Sequence, residues 1–211
     1  MAAALLRPGH EATAHATPTP TPTPSDLAGL LAQVHVVDEI AAVPGYQRGC
    51  KKGQACSFGP AWDDPLDSSG CDTRNRLLAS SLKGVVFKPG TRNCKVVDGT
   101  LNPDPYTGQP IDVHRVQVDH VYPLKAAWDA GASTWDPRQR QIFANDLTEL
   151  IAVSGVANEQ KGDSTPGQWL PTNPAEVCPY VLRYMTVAVK YELPITFRDR
   201  QAAAGACPAT G

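Results

Sequence analysis

Residues 116–124 read VQVDHVYPL, an apolar-rich run that carries Asp119 and His120 side by side and is stopped at Pro123. It has the character of a strand, extending back to Ile111 and ending at Val121, because proline cannot donate to a ladder. Adjacent side chains of a regular strand point to opposite faces, so Asp119 and His120 serve one site only if the strand ends or twists there. Pro123 supplies that end.

Two downstream stretches complete the unit: FANDLTELIAV over 143–153 and GVANEQKGD over 155–163. Leu147 to Val153 is a buried-strand candidate able to return antiparallel. Val156 to Lys161 is a short helix that would be delivered beside the Asp-His pair. Asn158 and Lys161, three apart, share a face of that helix. The logic is strand, return strand, helix, over about 111–163.

Outside this unit the pattern is mixed. Ser25 or Asp26 can cap a helix whose apolar residues are Leu27, Leu30, Leu31 and Val34, and Asp72 precedes a second helix over Arg74 to Leu82. Gly84 to Phe87 and Cys94 to Val97 are strand-like, the second ending at the turn Asp98-Gly99. Leu124 to Ala130, Pro137 to Phe143 and Ala175 to Glu192 are expected helices, the last presenting Val177, Val181, Met185 and Val189 inward. The expected class is α+β, with a minority of strands.

Composition narrows the function. The chain has 211 residues, 42% hydrophobic and 19% charged, enough for one globular domain from about residue 26 to 211 plus an appendage. No apolar run approaches the roughly 20 residues that cross a bilayer. With 19 basic and 21 acidic residues, the formal charge of -2 does not attract polyanions globally, so any nucleic-acid affinity is local. A candidate patch is residues 71–95, where Arg74, Arg76, Lys83, Lys88, Arg92 and Lys95 face Asp72 alone.

Six cysteines, none in a CxxC spacing, point to disulfides and an oxidising compartment. Fifteen pairings are possible; proximity favours Cys50 with Cys56, Cys71 with Cys94, and Cys178 with Cys207. Residues 1–25 contain the strict Thr-Pro alternation Thr17 to Pro24, an extended linker. Met1 to Leu6 is too short for a signal-peptide core, so the segment is expected to be a linker or the remnant of an export segment whose leader is absent or truncated.

The order Asp-His, then Asn before a strand, then Asn-x-x-Lys in a helix resembles the HNH nucleases, whose site is a ββα-metal (His-Me finger) core. GYQR, FGPAWDD, GCDTRN, DPYTG, DHVYPLKAAWDAGA, FANDLTELIAV, NEQKGD and WLPTN resemble more narrowly a secreted actinobacterial HNH endonuclease family related to the C-terminal domain of GmrSD restriction endonucleases. GCKKGQACS, residues 49–57, departs from that pattern as a cysteine-closed insertion.

The resemblance implies a disulfide-stapled HNH core embedded in additional helices. His120 is then the general base and Asp119 with Asn158 the ligands of one divalent ion, Mg2+ or Mn2+, since both supply hard oxygen donors. Asn145 fixes the joining loop and orients the histidine without ligating metal. Lys161 meets the scissile or a neighbouring phosphate, Arg74 contacts substrate or buttresses the site, and Asp163 orients Lys161 or the metal's waters. His114, with no acidic neighbour, is expected on the strand surface. The implied activity is hydrolysis of DNA, and of RNA as a second substrate, with little sequence preference and 5′-phosphate products. No feature requires an obligate protein partner.

Taken singly, each residue has a plainer role: Asn145 a turn residue, Asn158 a helix cap, Lys161 a solvated charge. Two other functions compete, a non-catalytic extracellular binding module with an HNH-like core and a two-carboxylate hydrolase of cell-wall glycan. The second leaves the Asp-His and Asn-x-x-Lys pattern unexplained.

Overall fold

The structure is a computed structural model that describes residues 27–207. Helix α1 (Leu27–Gln33) turns Leu30 inward; its expected caps, Ser25 and Asp26, and the Thr-Pro run lie outside the described residues. Strand β1 (Val36–Val37) follows at once. A long irregular segment then leads to α2 (Thr73–Ser81), where the Asp72 carboxylate accepts a 2.8 Å bond from the Asn75 amide and caps the first turn.

Strands β2 (Lys83–Phe87), β3 (Val96–Leu101) and β4 (Ile111–Asp112) form an antiparallel sheet in that order. The expected turn at Asp98-Gly99 is corrected: β3 runs straight through it. Gly99 has φ +146° and an added Cβ would stand 3.2 Å from the Leu82 side chain, so glycine there serves an irregular register rather than a reversal.

The single strand expected over 111–121 is also corrected. The Asp112 side chain accepts from the His114 amide at 2.9 Å and throws Val113–Arg115 into a 3₁₀ turn, a local bond that outcompetes the ladder. Beyond it, β5 (Val116–His120) pairs antiparallel with β6 (Leu150–Ser154), Val116 opposite Ser154 and His120 opposite Leu150. Between them lie α3 (Leu124–Asp129) and α4 (Pro137–Asn145). Strand β6 runs without a loop into α5 (Gly155–Lys161), and Gly155 permits the junction because a Cβ there would meet the Arg115 carbonyl at 3.1 Å.

Helix α6 (Pro174–Lys190) buries Tyr180, Val181, Tyr184, Met185, Val187 and Ala188 in the larger core, shared with α1, α3 and α4. Strand β7 (Ile195–Thr196) pairs parallel with β1 and leads into α7 (Phe197–Ala206), started by a reciprocal Thr196–Asp199 capping box. A smaller core joins Leu77 and Leu78 of α2 to Val96, Val116, Val118 and Leu150. The β5–β6 pair therefore lies between the two cores, with apolar burial on both sides holding its register.

The fold is α+β and carries three disulfides, Cys50–Cys56, Cys71–Cys94 and Cys178–Cys207. No cysteine among the described residues is free. No helix among them is long and apolar enough to cross a membrane.

Candidate active site

At the end of β5 the alternation of the strand sends neighbouring residues to different surroundings. His120, on the side of Val116 and Val118, stacks on the Trp62 indole at 6.0 Å and 11° between planes. Its Nε2 lies 3.0 Å from the Ala144 carbonyl oxygen at the end of α4. A carbonyl only accepts, so Nε2 carries the proton and Nδ1 keeps the lone pair. Burial drives the imidazole pKa down to about 3; Arg48 and Lys161 push the same way, against the Ala144 bond. The ring is neutral at neutral pH.

Asp119, facing the other way, accepts a 2.5 Å bond from the Tyr106 hydroxyl and lies 3.0 and 3.2 Å from the Lys161 ammonium through its two oxygens. Burial raises its carboxyl pKa, while Lys161 and Tyr106 pull it down. Lys161 also donates to the His120 carbonyl at 2.9 Å, so one ammonium ties α5 to both residues of the Asp-His pair. The phosphate contact expected of Lys161 is corrected here: its side chain is 1% exposed and its donors are spent inside the protein.

Asn158, one turn earlier on α5, donates from Nδ2 to the Gln117 side-chain oxygen at 2.8 Å, which fixes the amide; its Oδ1 accepts no bond from the described residues. Asn145 is buried and makes three bonds, accepting from Thr73 Oγ1 at 2.8 Å and donating to the carbonyls of Gln141 and Asp63 at 2.9 and 3.2 Å. It thereby clamps α2, α4 and the 58–64 segment together, one residue from the carbonyl that holds His120.

Asp119 and Asn158 both offer oxygen donors of the kind a hard divalent ion takes. Asn158 Oδ1 is free, and the Asp119 carboxylate, with about four acceptor positions, has capacity beyond Tyr106 and Lys161. Among the described residues no group of three or more His, Cys, Asp or Glu could hold an ion, so water would complete such a shell.

Arg74 donates to the Val116 carbonyl at 3.3 Å, a buttress for the start of β5, and Arg76 is paired with Asp64 and Asp67. Lys83, Lys88, Arg92 and Lys95 remain exposed. An open cleft of about 550 Å³ lies elsewhere, lined by Asp38, Glu39, Lys125, Asp129, Asp163 and Arg198 among others, with none of Asp119, His120 or Asn158. Its four carboxylates against Lys125 and Arg198 leave it net acidic, which does not favour a polyanion.

Sequence reading missed three groups. Tyr106 lies in the DPYTG block but nothing in its spacing to Asp119 announces the bond. Trp62 lies in the FGPAWDD block with nothing to link it to His120. Glu149 is fully buried, with both oxygens 3.1 Å from the Tyr122 amide and its pKa lifted well above normal by burial.

The model of the C-terminal domain of GmrSD restriction endonucleases matches residues 72–203. The chain belongs to that family. The matched span of this GmrSD C-terminal domain family covers the β5–β6–α5 unit with Asp119, His120, Asn145, Asn158 and Lys161, and leaves Arg48 and Trp62 outside it. The family is one of nuclease domains. A protein of Arthroderma benhamiae (strain ATCC MYA-4681 / CBS 112371), described as an uncharacterized secreted protein, is 35% identical over 138 residues, 64% of this chain and 66% of its own length. The chain thus spans just under two thirds of that relative. No solved structure matches it.

Proposed function

We propose that the chain is a secreted endonuclease of the HNH, ββα-metal type that hydrolyses phosphodiester bonds of DNA, and of RNA as a second substrate, with little sequence preference. The observation that carries this reading is the Lys161 ammonium bonded at once to Asp119 and to the His120 carbonyl, because it ties helix α5 to the end of strand β5 that bears the Asp-His pair. The nuclease domain is residues 26–211, with the core at about 111–163. Three disulfides and a relative described as secreted support the extracellular location.

The chemistry follows from the tautomer. Ala144 holds the Nε2 proton, so Nδ1 of His120 takes a proton from an attacking water. A water oxygen–phosphorus bond forms, the bond to the 3′ oxygen breaks, and the leaving oxygen takes a proton from solvent, giving 5′-phosphate and 3′-hydroxyl ends. Trp62 and Asn145 keep the imidazole in place from its face and from its anchoring carbonyl. Asp119 and Asn158 would hold one Mg2+ or Mn2+, which when bound supplies positive charge to the phosphate and the departing oxygen. Lys161 acts by positioning Asp119 in place of the substrate contact expected for it, and Arg74 by steadying β5, one of the two roles expected for it.

A non-catalytic binding module is the second reading, favoured by the commitment of Asp119 to Tyr106 and Lys161. Plasmid incubated with magnesium, with chelator, and with His120→Ala separates the two. Cleavage by the native protein alone in magnesium supports the nuclease; intact plasmid in every arm supports the module.

A further inference from the structure

The segment before α2 carries a charged side chain without an acceptor. Between Glu39 and Asp63 the sequence contains Arg48, Lys51 and Lys52 and no carboxylate. Residues 46–59 form a hairpin: the Ser57 amide donates to the Gln47 carbonyl and the Gln47 amide to Ser57 Oγ, both at 3.0 Å. The Cys56 amide meets the Gly49 carbonyl at 3.0 Å, and Cys50–Cys56 closes the tip.

The base of the hairpin is equally fixed. Tyr46 packs against Phe58 and Trp128 with ring centroids 6.2 and 6.1 Å apart, and Arg140 Nε donates to the Ser57 carbonyl at 2.6 Å. Gln47 turns its side chain into the hairpin, where Oε1 accepts from the Ala55 amide at 2.7 Å. Arg48, the next residue along, makes no hydrogen bond or ion pair through its guanidinium among the described residues. It is half-buried, within electrostatic reach of the His120 imidazole and the Tyr46 phenol. None of its nitrogens is sealed from solvent.

A rigid hairpin whose continuation lays Trp62 on the His120 ring, and which leaves the five donors of an arginine unspent, is an arrangement for an anion. We infer that Arg48 is a further catalytic residue, binding the non-bridging oxygens of the scissile phosphate and the charge that grows on them, while Lys51 and Lys52 at the disulfide-closed tip hold flanking phosphates. The inference rests on the nuclease reading above. It assigns a substrate-facing role to Arg48 of the GYQR block and to the lysines of the insertion that follows, all outside the span matched by the family model. It also supplies the phosphate contact that Lys161, buried on Asp119, does not make.

The test is steady-state cleavage of plasmid and of a duplex oligonucleotide in magnesium or manganese by native protein, Arg48→Gln, Arg48→Lys and Lys51→Ala/Lys52→Ala, with thermal midpoints measured beside each. Arg48→Gln is expected to lower kcat by about 10²–10³-fold, with the thermal midpoint and the half-saturating metal concentration unchanged. Arg48→Lys should fall between, since an ammonium keeps the charge and loses the fork. The double lysine variant should raise KM, leave kcat alone and reduce the salt slope of binding by about two.

A native enzyme that cleaves while Arg48→Gln stays within about twofold of it overturns the role of Arg48 and leaves the nuclease reading intact. Loss of rate accompanied by a lowered midpoint in both Arg48→Gln and Arg48→Lys assigns the residue a structural part and overturns it too. Native protein that cleaves nothing with either metal removes the nuclease reading, and this inference with it.

Discussion

The Tyr106 hydroxyl donates to Asp119 at 2.5 Å across 13 residues of sequence; Tyr106 is fully buried and Asp119 keeps only a small opening to solvent. A phenol in this position orients the carboxylate whose free lone pairs would meet a cation. Tyr106→Phe keeps the ring packed on Trp169 and Tyr180 and deletes only the donor. The metal concentration for half-maximal cleavage should rise about tenfold or more, read by titrating magnesium or manganese into the plasmid assay.

His120 and Asn158 should fail in different ways. His120→Ala is expected to lower kcat by about 10²–10⁴-fold with the metal midpoint unmoved. Asn158→Ala, which removes the free Oδ1, should shift the metal midpoint upward as well as lower the rate. Equal metal dependence in the two variants would contradict the division of roles.

Lys161→Met tests whether the ammonium is a buried ion-pair partner. Stripping the cation from a buried carboxylate costs roughly 3–5 kcal/mol, so the thermal midpoint should drop by roughly 10 °C in a domain of this size. A solvated, phosphate-facing lysine would leave the midpoint in place.

Asp146 gives a pH dependence with a definite sign. Half-burial raises its pKa, but bonds from Lys190 at 2.6 Å, the Thr148 amide and the Tyr191 hydroxyl outweigh that and hold it below the usual carboxylate range. The folded state therefore binds its proton less readily than the unfolded chain. The stabilisation is complete above the ordinary aspartate pKa and vanishes as pH falls through the folded value. Asp146→Asn should cost about 0.5–1 kcal/mol at pH 7, after allowance for exposure, and nothing in strong acid; urea melts at both pH values measure it.

Trp62→Ala should lower kcat more than stability, because the indole's stacked face is one of the supports of the His120 ring. The stacking contributes about 0.5–1.5 kcal/mol, and Trp62→Phe should recover most of the rate.

The strand, return strand and helix of the candidate site were legible in the order of residues. Asp119, His120, Asn145 and Asn158 were singled out within them by the family resemblance, and spacing alone would not have chosen them. Helices α4 and α6 were expected from the sequence within two residues at each end, while their caps, Asp136 and Asn173, emerge only from the structure. What escaped was non-local or cryptic. The β1–β7 pair involves two residues on each side, too few to show a period. Tyr106 and Trp62 reach the site from loops 13 and 58 positions away, where no periodicity links a side chain to its partner. Lys161 was misread because an Asn-x-x-Lys spacing fixes a helix face without saying whether that face meets water; the carboxylate beneath it decides.

The short parallel pairing of Val36 with Ile195 joins positions 159 residues apart. Residues 36 and 37 cannot find their neighbours until residues 195 and 196 are available, so this pair carries a large loop-closure cost and forms late in folding.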